Sequence, residues 1–202
     1  NVLEIGGGEI WGMMPVAIKH RSLSYTNIDL LIKNNIINSK YLWKRYLRKV
    51  SKYISEEKIK KFKFSNLSIK IEELDQSFKY DTVISISCLE HIDDLQSFFF
   101  NIKKNTSSTT KHMHIVNFSN HLDKNQPFKH IYETNKKFFL ENYKVKINLL
   151  RINDYIKILK KNNYIFKIYV IKKNNLKKTQ ISDFWKSNYS FENLSVETAI
   201  II

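Results

Sequence analysis

The chain is poor in residues that cross-link or interrupt a fold. Its 202 residues include one cysteine, two prolines and four glycines. A single cysteine, Cys88, excludes an intramolecular disulfide and fits a reducing compartment. Few glycines and prolines, together with 43% hydrophobic residues, exclude collagen-like and low-complexity classes. The sequence therefore predicts a globular, cytoplasmic protein.

Long apolar runs are also missing. No stretch reaches the roughly 20 consecutive apolar residues that a membrane-spanning helix needs. The first residues lack the basic-then-apolar pattern of a signal peptide. A length of 202 residues fits one domain around a single core. We therefore expect a single domain over residues 1–202. Because the chain enters a strand directly after Asn1, we also expect that an N-terminal segment is missing.

Negative charge is scarce, since 19 Asp and Glu face 34 Lys and Arg, and the formal net charge is +15. A basic surface suits nucleic acid or an anionic membrane. Lysine and asparagine recur throughout, however, including in loops such as Lys172–Asn175, so we attribute the charge mainly to biased composition. A basic amphipathic helix is predicted at Lys40–Ile54. We interpret it as packing on the sheet. The alternatives are a lid over the active site, or a patch for an acidic acceptor or a membrane surface.

Short apolar runs alternate with longer helical stretches, which is typical of a mainly parallel sheet. A polar loop is expected at Asn105–Thr110. The last two strands leave room for only a short helix, at Ile181–Lys186, so they are expected to pair antiparallel. The predicted class is α/β, with a doubly wound, mainly parallel seven-stranded sheet and an antiparallel final strand. The predicted strands are Val2–Ile5, Ser24–Asp29, Leu67–Ile71, Thr82–Ser87, His112–Phe118, Ile165–Ile171 and Glu197–Ile202.

A glycine turn, Gly6–Gly8, directly follows the first strand. Glycines let a backbone turn tightly and let a ligand approach without a Cβ in the way. Dinucleotide binding would need glycine where Trp11 stands, so nicotinamide and flavin lose support. Glu4 at the strand tip would repel a pyrophosphate and suits a cationic ligand. Asp29 ends the second strand, where a carboxylate can accept hydrogen bonds from ribose hydroxyls. The arrangement predicts an adenosine site.

Three segments carry a family resemblance. They are VLEIGGG at 2–8, YTNIDL at 25–30 and YDTVISISCLEHIDDL at 80–95. They resemble motifs of class I S-adenosylmethionine-dependent methyltransferases, and Leu89–Ile92 is the most specific part. HIVNFSNH at 114–121 and NLLRIND at 148–154 resemble further elements. The chain departs from the family pattern at Ile10, where many members have a third glycine. It also departs at Asn117 and Asn120, where the family pattern has aspartate. The resemblance implies a Rossmann-like methyltransferase fold and S-adenosyl-L-methionine as cofactor.

The resemblance also implies where this donor binds. Its methionine end would lie at the glycine turn, its ribose at the second strand's acid, and its adenine between the ends of the second, third and fourth strands. Residues after the fourth strand would line the floor beneath the methionine part. The residues so assigned are Glu4, Gly6, Gly7, Gly8, Asp29, Leu30, Ile71, Glu72, Ser87 and Cys88.

Methyl transfer from a sulfonium is an in-line displacement in which positioning supplies much of the rate, so a general base is optional. If the acceptor is a hydroxyl, the candidate bases are His91 and His121, which follow the fourth and fifth strands. A loop-orienting or donor-contacting role is the alternative for His91. Arg151 is a candidate for binding an anionic acceptor, with a helix-capping or surface role as the alternative. No metal site is predicted.

The predicted function is transfer of a methyl group to an unidentified acceptor, namely a small molecule, sugar or lipid-linked intermediate. One alternative is a nucleic-acid methyltransferase. Charge favours that alternative, but Ser87–Glu90 stands where amino-directed base methyltransferases tend to carry an N/D-P-P-Y or F motif. The other alternative is a non-catalytic module that binds the donor.

Because we attribute the positive charge to composition, duplex DNA should bind weakly and without sequence preference. Affinity should fall steeply between low and physiological salt, since the attraction is to phosphates alone. Fluorescence anisotropy with two unrelated duplexes over a salt series checks this. A tight, sequence-selective complex at physiological salt would instead make nucleic acid the leading acceptor.

Overall fold

The computed structural model describes residues 1–8, 12–31 and 40–202, without the side chains of 40–43 and 178. Ile10 and Trp11, which bear on the glycine pattern, lie outside the described residues. No helix in the described part of the chain is long and apolar enough to cross a bilayer. The strands are β1 Val2–Ile5, β2 Ser24–Ile28, β3 Lys63–Leu67, β4 Tyr80–Ile86, β5 Thr106–Asn117, β6 Ile168–Lys173 and β7 Val196–Ile201. The α-helices are α1 Met14–Lys19, α2 Lys40–Val50, α3 Glu56–Lys61, α4 Leu95–Ile102, α5 Lys136–Tyr143, α6 Ile152–Lys161, α7 Asp183–Asn188 and α8 Phe191–Leu194.

The seven strands form one mixed sheet in the order β3-β2-β1-β4-β5-β7-β6. β1 pairs in parallel with β2 and β4, and β2 pairs in parallel with β3. β7 runs antiparallel to β5 and β6. All residues of β1 and β2 are buried, as expected for parallel strands with both faces covered. The predicted fold class and the antiparallel final pair are confirmed.

The predicted third strand is wrong. β3 is Lys63–Leu67, which pairs in register with Ser24–Ile28, whereas Ile71–Glu73 forms a 3-10 turn. That turn closes on itself, since the Leu74 N–H donates to the carbonyl of Ile71. Alternation of apolar and polar residues continues beyond Leu67, but local hydrogen bonds turn the chain away from the sheet. Alternation alone could not locate the end of the strand.

The predicted polar loop Asn105–Thr110 is also wrong from its second residue onward, because β5 starts at Thr106. Threonine favours extended backbone even where it is exposed. Thr110 Oγ1 donates to the carbonyl of Tyr80 at 2.7 Å. Asn105 is buried, and its Nδ2 donates to the carbonyl of Asp75 at 2.6 Å. The polar side chains thus anchor the beginning of a strand.

Three further boundaries shift by a few residues. The basic helix ends at Val50 rather than Ile54. The helix predicted at Ile181–Lys186 is α7, Asp183–Asn188, and an additional short helix, α8, precedes β7. β6 begins at Ile168, and Ile165, with which the predicted strand began, is fully exposed. An apolar side chain in solvent has no sheet neighbour to favour strand pairing.

The described chain divides into two compact units. The first unit comprises Asn1–Ile86 and Asn101–Met113. Its core gathers buried side chains from α1, β2, α2 and α3, including Met14, Tyr25, Tyr46 and Ile59. Because α2 contributes Tyr46 and Val50 to this core, the helix packs within the unit, which agrees with the preferred interpretation. The basic side chains at 44, 45, 48 and 49 are exposed.

The second unit comprises Ser87–Phe100 and His114–Ile202. Its core is aromatic and is centred on Trp185, which is fully buried beside Tyr132 and Phe139. The polar atoms of these rings are satisfied. Trp185 Nε1 donates to the carbonyl of Thr134 at 2.7 Å, and the Tyr132 hydroxyl donates to the carbonyl of Leu194 at 2.8 Å. These two bonds tie side chains to backbone that is distant in sequence, so the aromatic residues are fixed in orientation.

Candidate functional site

In the first unit, the side chain of Asn27 holds the glycine turn. Asn27 lies in β2 and is fully buried. Its Oδ1 accepts the Gly7 N–H at 3.1 Å, and its Nδ2 donates to the carbonyl of Gly8 at 3.1 Å and to Asn66 Oδ1 at 2.8 Å. One amide therefore satisfies both sides of the turn and links it to β3. No role was predicted for this residue, because asparagine recurs throughout the chain and the partner Gly7 lies 20 positions away.

The three glycines are required for two different reasons. Gly6 and Gly8 have φ of 71° and 61°, in the left-handed region that favours glycine. A Cβ on Gly7 would lie 2.5 Å from Asn27 Oδ1 and 2.8 Å from the carboxyl of Glu4, so the neighbours exclude it. A Cβ on Gly8 would meet no described atom within 4 Å. Among the described residues, the turn is therefore closed around Gly7 and open beside Gly8, where a ligand can approach.

Asp29 lies against this opening. Its Oδ2 accepts the Gly8 N–H and its Oδ1 accepts the Leu31 N–H, each at 2.8 Å. Each carboxylate oxygen can accept a second hydrogen bond. The structure thus brings two predicted site elements together and leaves Asp29 with acceptor capacity. Leu30, the next predicted contact, is 62% exposed.

Glu4 is a buried carboxylate beneath the same turn. It is 3% exposed, and its Oε2 has no hydrogen-bond partner among the described residues. Its pKa is raised to about 7, mainly by burial and to a lesser extent by the charge of Asp29, while a hydrogen bond from the Met13 backbone opposes the rise. Burial and the charge of Glu4 also raise the pKa of Tyr46. A cationic group placed beside Glu4 would offset the cost of its buried charge.

The predicted adenine contacts do not lie at a strand end. β3 ends at Leu67, and Ile71 and Glu72 belong to the 3-10 turn that follows. Ile71 is buried, whereas Glu72 is exposed and accepts a hydrogen bond from Asn101 Nδ2 at 3.5 Å. The strand assignment that suggested these two residues was wrong, so nothing in their placement supports an adenine contact.

A cleft of about 390 Å³ in the first unit lies apart from the predicted donor residues. It is lined by short polar side chains of β2 and β3, including Ser24, Thr26 and Ser65, and by Phe78 and Tyr80. None of the residues assigned to the donor lines this cleft. The candidate donor site is therefore the open turn at Gly8.

In the second unit, a short segment after β4 carries the remaining predicted residues. Ser87 is exposed with φ of 49°, and its N–H donates to the carbonyl of Ile115 at 2.9 Å. Cys88 is half-buried and forms no disulfide. A 3-10 turn, Leu89–His91, follows at once. The chain thus changes direction after β4, with Leu89 and Glu90 of this turn buried and His91 exposed.

His91 and His121 meet at Glu90. The two imidazole rings lie edge to face, with centroids 4.9 Å apart. His121 Nε2 is 3.8 Å from Glu90 Oε1. Burial raises the pKa of Glu90 to about 7. Burial and the neighbouring His91 lower the pKa of His121. The structure therefore places both predicted histidines in one cluster with a glutamate to which sequence analysis gave no role.

Asn148 positions that cluster. Its Nδ2 donates to the carbonyls of Leu89 and Ile92 at 2.8 and 2.9 Å, and its backbone N–H donates to the carbonyl of Glu90 at 2.7 Å. A single asparagine thus fixes the whole 3-10 turn. The segment around it was part of the family resemblance, but nothing in its local pattern indicated partners near residue 90.

Arg151 is 1% exposed and begins α6. Its backbone N–H donates to Asp154 Oδ2 at 2.8 Å, and its Nη1 donates to the carbonyl of Phe118 at 2.7 Å. The guanidinium also lies 5.1 Å from the ring centre of Tyr132 and 5.4 Å from that of Trp185. The helix-capping alternative matches this geometry, and the surface alternative does not. Binding of an anionic acceptor by Arg151 stays a prediction.

Comparisons with solved structures show the same fold. The chain is similar to Haemonchus contortus phosphoethanolamine N-methyltransferase 2 in complex with S-adenosyl-L-methionine, with TM-score 0.58 and 14% identity over 99% of this chain and 47% of that one. It therefore spans about half of that protein. It is also similar to a Listeria monocytogenes protein assigned as an S-adenosylmethionine-dependent methyltransferase, with TM-score 0.54 and 15% identity over 100% and 88% of the two chains.

A third similar structure is a mycolic acid cyclopropane synthase, with TM-score 0.53 and 13% identity over 83% of this chain and 56% of that one. No protein-family model and no curated protein sequence matches the chain. At identities of 13–15%, these similarities show the fold alone, which the chain shares with structures described as methyltransferases and a cyclopropane synthase.

Glu4 should make folding stability depend on pH. Its pKa of about 7 in the folded chain lies above the ordinary 4.5, so the folded state retains the proton more tightly. The stabilisation is fully present below about pH 4.5 and is lost as pH rises through about 7, by up to about 3 kcal/mol. Glu4→Gln should reduce this loss in urea unfolding compared at about pH 5 and about pH 8.

The matched control is Glu141→Gln, which changes an exposed glutamate on α5. It should retain the pH dependence of the unchanged chain. Equal pH dependence in Glu4→Gln and Glu141→Gln would contradict the assignment of a raised pKa to Glu4.

Proposed function

We propose that this chain, as a single domain over residues 1–202, binds S-adenosyl-L-methionine at its glycine turn and transfers the methyl group to an acceptor. The acceptor class we propose is a small molecule, a sugar or a lipid-linked intermediate. One observation carries the proposal. The open side of Gly8 lies beside Asp29, and the buried carboxylate of Glu4 precedes the same turn. These residues belong to a sheet with the strand order of the methyltransferase fold.

The residues of the turn fit this cofactor. Glu4 Oε2 is buried without a described partner, so it would favour a donor that carries an ammonium and a sulfonium. Asp29 retains acceptor capacity that would suit the two ribose hydroxyls. The absence of a Cβ at Gly8 would let the donor contact the backbone closely. A pyrophosphate cofactor fits less well, since Glu4 and Asp29 would both repel it.

The bound donor would supply a methyl group already activated by a positive charge. The chain then has to hold the acceptor in line and exclude competing water. For a hydroxyl acceptor, the proposed bases are His91 and His121. His91 Nδ1 donates to the carbonyl of Lys146 at 2.5 Å, which leaves Nε2 as the nitrogen that would accept a proton. The lowered pKa of His121 keeps its ring neutral at neutral pH, which is the form that accepts a proton.

Asp29→Ala should weaken binding of S-adenosylhomocysteine by about 1–3 kcal/mol, the usual cost of losing hydrogen bonds to a charged acceptor. Isothermal titration calorimetry measures the change. Asp183→Ala is the matched control, because Asp183 is a fully exposed aspartate in the second unit. Unchanged affinity in a folded Asp29→Ala variant would exclude Asp29 as the ribose acceptor.

Turnover separates the enzyme from a module that only binds the donor. S-adenosylhomocysteine released from a panel of hydroxyl and amine acceptors should rise above the rate without acceptor, and Asp29→Ala should lower it along with donor affinity. Donor binding with no product from any acceptor would favour the non-catalytic alternative.

A further inference from the structure

We propose that Glu90, His91 and His121 form a binding site for a divalent transition-metal ion. Each residue offers one ligand atom, and these three atoms lie within 4.8 Å of one another. Two imidazoles and one carboxylate, with further positions open, form a donor set that holds Mn²⁺, Fe²⁺, Co²⁺ or Zn²⁺. The site lies entirely within the second unit, so the proposal does not depend on donor binding at the glycine turn. A bound ion would use the lone pairs of both imidazoles, so in the metal-bound protein His91 and His121 would be ligands and not general bases.

Glu90 is the buried ligand. It is 3% exposed, and neither carboxylate oxygen makes a well-formed hydrogen bond with a described residue. An ionised carboxylate buried without a partner is strongly unfavourable, whereas a bound cation converts it into a favourable contact. The nearest histidine atom, His121 Nε2, is 3.8 Å away, too far for a hydrogen bond. Ligand atoms around an ion at about 2.1 Å lie about 3–3.5 Å apart, so small side-chain movements would complete the site.

The surroundings of both histidines suit metal binding. His91 Nδ1 donates to the carbonyl of Lys146, which is the arrangement that commonly fixes the tautomer of a metal-binding histidine and directs Nε2 at the ion. His121 has φ of 56°, a strained conformation for a residue with a side chain. Buried Asn120 holds its loop by donating to the carbonyls of Gln126 and Lys129 at 2.9 and 3.1 Å. The loop thus holds the strained backbone of His121 at the position from which its side chain would bind the ion.

The exposure of the site allows an ion to enter. His91 and His121 are exposed, while Glu90 forms the buried floor. Three protein ligands leave at least one coordination position for water or for an oxygen of another ligand. The two imidazoles disfavour Mg²⁺ and Ca²⁺, which prefer sites made entirely of oxygen. The expected occupant is therefore a transition-metal ion with an open position.

Direct titration of the full chain, after dialysis against a chelator and without donor, tests the site. Co²⁺ binding is followed by visible absorption, and Mn²⁺ binding by the loss of the free-ion electron paramagnetic resonance signal. One equivalent of ion should bind. Glu90→Gln and His121→Gln should each weaken binding by more than about 100-fold, since loss of an outer-shell partner alone costs 10–100-fold.

His130 and Glu133 provide the matched controls, because His130 Nδ1 lies 3.0 Å from Glu133 Oε2 in a pair with no third ligand in the described chain. His130→Gln and Glu133→Gln should leave the affinity unchanged. If Glu90→Gln fails to fold by circular dichroism, the exposed variants His91→Gln and His121→Gln still test the site. Absence of one-equivalent binding, or equal affinity in His121→Gln and His130→Gln, would overturn the proposal. Either outcome leaves donor binding at the glycine turn as a separate question.

Discussion

The hydrogen bonds of the Asn27 amide are the constraint on which the candidate donor site depends. They satisfy an N–H and a carbonyl on opposite sides of the glycine turn, and a third bond to Asn66 links the turn to β3. Removing the amide would leave partly buried backbone groups without partners, at up to about 1–3 kcal/mol each. Because Gly7 is held this closely, its Cα lies where no side chain fits, and Gly8 is turned so that its N–H donates to Asp29. A single side chain of β2 thus determines the geometry of the turn.

Two carboxylates, one in each unit, are buried with too few hydrogen bonds to offset the cost of their charge. Burial raises the pKa of both Glu4 and Glu90 to about 7, and both have oxygens without hydrogen-bond partners among the described residues. Their neighbours differ. Glu4 lies beneath a glycine turn with open space, which suits an organic cation, whereas Glu90 lies beside two imidazoles, which suit a metal ion. Burial of an ionised carboxylate has the same cost at both places, but the neighbouring atoms favour a different cation at each.

Much of the fold could be predicted because its signals are local. The glycine turn, Asp29 after β2 and the antiparallel final strands all follow from residues near one another in sequence. The end of β3 and the start of β5 could not be predicted, since alternation and polarity do not distinguish a short strand from the turn beside it. Asn27 and Asn148 were missed for a different reason. Their partners Gly7 and Leu89 lie 20 and 59 positions away, and in a chain rich in asparagine neither residue stands out.

Binding of the donor beside Gly8 is the central claim, and equilibrium dialysis of labelled S-adenosyl-L-methionine against the unchanged chain and a Gly8→Ala variant tests it most directly. The unchanged chain should bind one equivalent. Gly8→Ala should fold, since the new Cβ contacts no described atom, although its positive φ costs about 1 kcal/mol. Its affinity should fall at least about tenfold, or about 1.4 kcal/mol, because the methyl group occupies the space through which the ligand approaches. Failure of the unchanged, folded chain to bind, or equal affinity in folded Gly8→Ala, would contradict the account.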